Sequence, residues 1–193
     1  MAKRKRKKQS GVEKNIRTIL AIIIALVTLF GGSKIYDLDL FPTETPDNKQ
    51  TEAIIVKPND KLNGKIIRIS DGDTVVLLDS LGAHHKIRLD GVDCPETGQD
   101  FGTKATNFTK DLCIDKHITV DIIGRDQYQR ILGVVHADGI NINEELLKNG
   151  LAWRYKYNKS PRYLELEEDA RHRKINIWSM KNPVAPWDFR KNN

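Results

Sequence analysis

Three β-rich runs, GKIIRIS (64–70), TVVLLDS (74–80) and HKIRLDGVD (85–93), follow one another with only Asp71-Gly72-Asp73 and the LGAH stretch between them. A parallel crossover needs about a dozen residues or more, so these runs can pair only as antiparallel neighbours. Each connection carries a glycine, and Asp-Gly is a tight-turn dipeptide. The first half of the domain is therefore a meander, which excludes a doubly wound parallel sheet there.

Two further runs, KHITVDIIG (116–124) and RILGVVHADG (130–139), bring the strands to five. Phe101, Ala105, Phe108 and Leu112 recur at helical spacing, which predicts an amphipathic helix over 101–113 packed on the sheet. NINEELLKNG (141–150) has an Asn cap, acids in its first turn and a closing glycine, the marks of a short helix. Ser160-Pro161 opens another, with Ser as N-cap, Pro at N1 and Tyr163, Leu166 and Ala170 on one face. The expected fold class is α+β: a five-stranded OB-fold-like β-barrel with about three α-helices, preceded by an N-terminal hydrophobic segment. Trp153, Trp178 and Trp187 read as packing anchors for the last helix and tail. His84 and His85, at a hairpin turn, are expected to be solvated.

The chain has 193 residues, a net charge of +6 and a pI near 9.2, but the positive charge is unevenly placed. Residues 1–17 hold eight Lys/Arg and one Glu, whereas 61–193 hold 21 bases and 19 acids, so any grip of the domain on a polyanion depends on a few placed arginines. KRKRKK (3–8) precedes the charge-free run TILAIIIALVTLFGG (18–32), the order of a signal anchor or a signal peptide. The expected organisation is a basic cytoplasmic tail (1–17), a signal anchor or signal peptide (18–36), a flexible linker (37–60) and a globular domain (61–193). The only cysteines, Cys94 and Cys113, form no CxxC pair, which argues against a zinc site and leaves their pairing open.

The chemistry concentrates in IRLDGVDCPET (87–97). Asp73 leaves the first hairpin turn and Asp93 leaves the third strand, so both carboxylates can lie at one end of one sheet, a set of hard oxygen donors suited to calcium. Pro95 aims Glu96 back toward that end, where it could act as a base on water. Arg88 and Arg130 supply guanidinium groups that bind phosphate oxygens and stabilise charge in phosphoryl transfer. Asp90 shares a strand face with Arg88, and an ion pair between them is expected.

ISDGDTVVL, IRLDGVDCPET, DQYQR and AWRYKY, in this order and at these separations, resemble the staphylococcal nuclease (thermonuclease) family, calcium-dependent phosphodiesterases built on an OB-fold. The likeness runs from about Gly64 to Trp178, and the tail NIWSMKNPVAPWDFR resembles the ending of many bacterial members. The resemblance implies that Asp73 and Asp93 ligate Ca2+ together with the backbone carbonyl of Cys94. It further implies Glu96 as general base, Arg88 and Arg130 on the scissile phosphate, and Tyr128, Tyr155 and Tyr157 near the nucleotide. Cys94 stands where threonine is common, and Gln127 and Gln129 stand where lysine and glycine are usual.

The expected function is a calcium-dependent endonuclease cutting DNA and RNA with little sequence specificity. The alternative is a non-catalytic module, tethered to the membrane, that holds single-stranded nucleic acid. The expected partners are single-stranded and duplex DNA and RNA as substrates and a membrane through the N-terminal segment, with the domain outside the cytoplasm or secreted, as a monomer. Replacing Arg88, Glu96 or Arg130 by alanine is expected to stop cleavage without unfolding the domain.

Overall fold

The computed structural model describes residues 57–192. The basic tail, the apolar run and nearly all of the linker named above lie outside these residues. Among the described residues, no helix is long and apolar enough to cross a membrane.

The strands are β1 (Lys61–Asp71), β2 (Thr74–Asp79), β3 (His84–Leu89), β4 (Val92–Asp93), β5 (Ile118–Arg125), β6 (Ile131–Ala137), β7 (Ile140–Asn141) and β8 (Trp153–Arg154). The helices are α1 (Gly102–Cys113), α2 (Ile142–Lys148), α3 (Pro161–His172) and α4 (Pro186–Asn192), with a short 3-10 turn at Asn176–Ser179. The sheet order is β3-β2-β1-β5-β6-β7, and β3 also pairs with β6 in parallel, Ile87 opposite Ile131, which closes a five-stranded barrel. The expected barrel is thus present, and among the described residues there is one helix more than the sequence announced, in the tail.

β1 is shared between the two halves of the barrel. Its first residues pair with β5 and the rest with β2, and Gly64 faces partners on both sides. A Cβ at Gly64 would collide with the Leu78 carbonyl, so only glycine lets the strands approach this closely. Register shifts after Ile66 and Ile69 bend β1 around the core.

Strict alternation places Ile131, Gly133, Val135 and Ala137 inward from β6, and Ile118, Val120 and Ile122 inward from β5. With Val75, Leu77, Ile87, Leu89, Leu146 and Leu147 they form the main core. At about 25 cal/mol per Å2 of apolar surface removed from water, fully burying one such side chain contributes roughly 1.5–3 kcal/mol.

The α1 face is rotated from the expected one. Gly102, Ala105, Thr109 and Cys113 are buried, while Phe108 and Leu112 flank them, and Phe101 caps the helix at a φ of 66°. Thr109 can occupy this interface because its hydroxyl donates to the Gly72 carbonyl at 2.6 Å. The other expected caps are in place: Asn141 accepts from the Glu144 N–H, and Ser160 accepts from the Tyr163 N–H.

A second cluster of Trp153, Ala170, Ile177 and Trp178, joined by Phe101 and Trp187, docks the tail. Trp153 and Trp178 meet edge to face with centroids 5.0 Å apart. The tryptophans are packing anchors, as read from the sequence. His84 is exposed, but His85 is not solvated as expected: its Nε2 lies 2.7 Å from Asp79 Oδ2, the two side chains only 10% and 7% exposed. Asp79 also caps the hairpin turn by accepting from the Leu81 and Ala83 N–H groups, which draws the ring and the turn together.

Candidate active site

At one rim of the barrel, a cleft of about 630 Å3 is lined by Asp73, Arg88, Glu96, Tyr128, Arg130, Tyr155 and Arg190, among others. Three local devices bring these residues together. The β2–β3 hairpin sets Thr74 opposite Arg88, so Asp73 stands at the mouth beside the arginine. The parallel join of β3 and β6 brings the start of β6, and Arg130 just before it, to the same rim. The β4–β8 pair sets Asp93 opposite Trp153, and the Tyr155 N–H donates to the Gly91 carbonyl at 2.9 Å, which turns Tyr155 to the cleft.

Arg88 is the hub. Its Nη1 lies 2.5 Å from Asp73 Oδ1, and its Nη2 donates to Asp93 Oδ1 at 2.7 Å. Burial opposes its charge, but Asp73 and Asp93 outweigh that and hold the guanidinium more firmly protonated than usual. Asp73 also accepts from the Cys94 N–H at 2.6 Å and from the Thr74 hydroxyl at 3.2 Å. Even so, burial, aided by the neighbouring Asp71, pushes its carboxyl from 3.8 up to about 7 against the pull of Arg88. The Arg88 Nη1 is close to Asp73 but lacks hydrogen-bond alignment and has no other hydrogen-bond partner. A desolvated carboxyl whose cationic neighbour satisfies it incompletely suits a cation.

The donors that could hold such a cation are Asp73, Asp93 and the Cys94 carbonyl, all hard oxygens, with water completing the shell. Among the described residues, no three His, Cys, Asp or Glu side chains gather into a metal cage, so the carbonyl would be an essential third donor. The Cys94 thiol takes no part. It is buried toward Gly72 and Ala105, burial raises its pKa well above the usual value, and both cysteines are free.

Glu96 lines the cleft, but its carboxylate is not free, because Arg190 of α4 donates to it. Arg190 also reaches Asp93, its Nη2 at 2.9 Å from Oδ2 and its Nη1 at 3.2 Å from Oδ1. The hydrogen bonds it donates to Asp93 and Glu96 hold the Arg190 guanidinium charged well beyond its ordinary range. The sequence contains the signal, an arginine ending PWDFR, but its role depends on a contact spanning 97 residues.

Arg130 is set by Asp126, which accepts from its Nε at 2.6 Å and from its backbone N–H at 2.9 Å. That leaves the Nη groups of a cleft-lining arginine for an anion. The i, i+4 spacing within DQYQR could have revealed Asp126 as this support. Tyr128 lies under the Arg130 guanidinium at 5.5 Å. Tyr155 lines the cleft, whereas Tyr157 stands outside it, 69% exposed and edge-on to Tyr155 at 5.5 Å.

One expectation is corrected here. Asp90 lines the cleft but forms no ion pair with Arg88, which turns to Asp73 and Asp93 instead. Burial raises the Asp90 carboxyl, and the segment holding it is fixed when Asn143 Nδ2 donates to the Asp90 carbonyl at 2.8 Å. Gln129, where glycine is usual, sits at a φ of 62° in the turn before Arg130, which explains the usual glycine.

Barrel and rim together define an OB-type domain with an acidic and arginine-lined cleft. The family model described as "Staphylococcal nuclease homologue" matches residues 86–180. An "Uncharacterized endonuclease" of Escherichia coli is 42% identical over 131 residues, covering 67% of this chain and 85% of that protein. Another of that name from Haemophilus influenzae is 39% identical over 128 residues, 66% of this chain and 72% of that protein. A "Micrococcal nuclease" of Shigella flexneri is 34% identical over 140 residues, 66% and 80% respectively. The chain belongs to the staphylococcal nuclease family.

Proposed function

We propose that the protein is a calcium-dependent endonuclease that hydrolyses phosphodiester bonds of DNA and RNA with little sequence preference. The observation that carries this reading is the convergence of Arg88, Arg130 and Glu96 on one cleft beside the buried Asp73 and Asp93. Arg130, oriented by Asp126, offers its Nη groups to a phosphate, and Arg88 supplies a second, desolvated positive charge where negative charge builds up. Glu96 takes the proton from the attacking water once its carboxylate is released from Arg190. Calcium, held by Asp73, Asp93 and the Cys94 carbonyl, would polarise the phosphate when bound. Tyr128 and Tyr155 offer ring faces to bases, with Tyr157 extending that surface outward; stacking and phosphate contacts read no base edges, so specificity is weak. The basic tail and apolar run support an anchor, or a cleaved signal, that puts the domain outside the cytoplasm.

The test incubates the full-length chain with single-stranded DNA, duplex DNA and RNA, each in calcium, in magnesium and with chelator, and measures release of acid-soluble nucleotide. Release should require calcium and fall about 10²- to 10⁴-fold in Glu96→Gln. Tight binding with no release in either metal would make the domain a binding module and overturn the catalytic roles.

A further inference from the structure

We propose that Arg190 belongs to the metal site as its intramolecular competitor: it holds Asp93 and Glu96 in a cation's stead, so that calcium loading and docking of α4 exclude one another. This rests on the calcium reading above. Three observations carry it.

First, Asp93, whose side chain is 1% exposed, has no oxygen left over: Arg88 and Arg190 share Oδ1, and Arg190 takes Oδ2. Calcium approaches carboxylate oxygens to about 2.3–2.6 Å. A doubly charged ion there and a guanidinium on the same carboxylate would stand a few ångströms apart, and like charges at that range in a partly buried site repel strongly. The Arg88 side chain is only 14% exposed and is held between Asp73 and Asp93, whereas the Arg190 side chain is 44% exposed. Arg190 is the cation that can leave.

Second, the same guanidinium ties up Glu96, so one displacement would free a ligand and a base together. Third, the tail is coupled to the Glu96 loop by a second bridge. Gln99 Nε2 donates to the Val184 carbonyl at 2.7 Å, while Gln99 Oε1 accepts from the Glu96 N–H at 3.0 Å. Movement of α4 therefore reaches Glu96 through both its side chain and its backbone. Linkage is reciprocal, so whatever the docked arginine subtracts from calcium affinity, bound calcium subtracts from docking.

The test titrates CaCl2 calorimetrically into the full-length wild type, Arg190→Gln and Arg190→Lys, and follows hydrogen exchange of the 187–192 amides in the unmodified protein with and without calcium. Arg190→Gln should bind calcium about tenfold more tightly than wild type, within the usual range of site-to-site coupling. Arg190→Lys, which keeps the charge, should fall between them. Calcium should speed exchange across α4 in the wild type, a readout that needs no variant to fold. Equal or weaker binding by Arg190→Gln, or slower exchange in α4 with calcium, would overturn the competition alone. No heat from any of the three proteins would overturn the calcium reading and the competition with it.

Discussion

Arg88 Nη2 and Asp93 Oδ1 meet at 2.7 Å, and the same guanidinium touches Asp73 on its other arm. Removing Arg88 leaves the buried Asp73 without a counter-charge and leaves Asp93 to Arg190 alone. Arg88→Ala should therefore lower stability by about 3–5 kcal/mol, the usual cost of breaking a buried pair from one side. This revises the expectation that alanine there would spare the fold. Urea unfolding followed by circular dichroism measures it; a change below about 1 kcal/mol would mean that water reaches the pair.

Asp73 gives the site a pH dependence of definite sign. Its folded pKa of about 7 lies above its ordinary 3.8, so between these values the folded chain binds the extra proton. Its contribution to stability is complete below about pH 3.8 and is lost as pH rises through about 7. In chelator, Asp73→Asn should match wild type in thermal midpoint near pH 4 and exceed it increasingly toward pH 7. Calcium must displace that proton, so wild-type calcium affinity should rise across the same interval. A constant difference in midpoint between the two proteins would contradict the raised pKa.

Gly102 begins α1 directly against the Glu96 carbonyl, and a Cβ there would overlap that oxygen. Alanine would gain about 1 kcal/mol of helix propensity. The overlap costs about 1–3 kcal/mol by displacing backbone. The steric term should win: Gly102→Ala is expected to be less stable than wild type and to cleave more slowly, because Glu96 moves. A more stable, fully active Gly102→Ala would show that the loop yields freely.

Gln129→Gly should stabilise the protein. Relief of the left-handed backbone is worth about 1–2 kcal/mol, against about 0.4–1 kcal/mol for the freer unfolded chain. The net expectation is a gain of about 0.5–1 kcal/mol by denaturant titration, with Arg130 still set by Asp126. A loss of stability would show that the Gln129 side chain contributes more than its backbone strain costs.

What the sequence disclosed was local chemistry. Asp71-Gly72-Asp73 turns β1 into β2, and the β2–β3 hairpin that follows, with Thr74 opposite Arg88, puts Asp73 and Arg88 at one rim. Ser160 and Asn141 cap helices because their oxygens reach an N–H three residues on. What stayed hidden depended on distant partners. Asp90 lost its expected ion pair because Asp73 and Asp93 offered Arg88 two nearer carboxylates. His85 is drawn out of solvent by Asp79, which bridges the turn. The α1 face turned because Thr109 found an acceptor in Gly72, which helical periodicity cannot reveal. Arg190 was invisible as a site residue because no local pattern ties the tail to Asp93.

The parallel join of β3 to β6, with the β4–β8 pair beside it, also governs when the cleft can exist. A ribosome that has delivered only the first three strands has made Asp73 and Arg88 but no Arg130, no Tyr155 and no β8 for β4 to pair with. Contacts this far apart along the chain form late, after the loops between them have closed. The cleft is therefore completed only once synthesis is nearly finished, and a truncated fragment ending before β8 would carry Asp73, Arg88 and Arg130 without Tyr155 or Arg190.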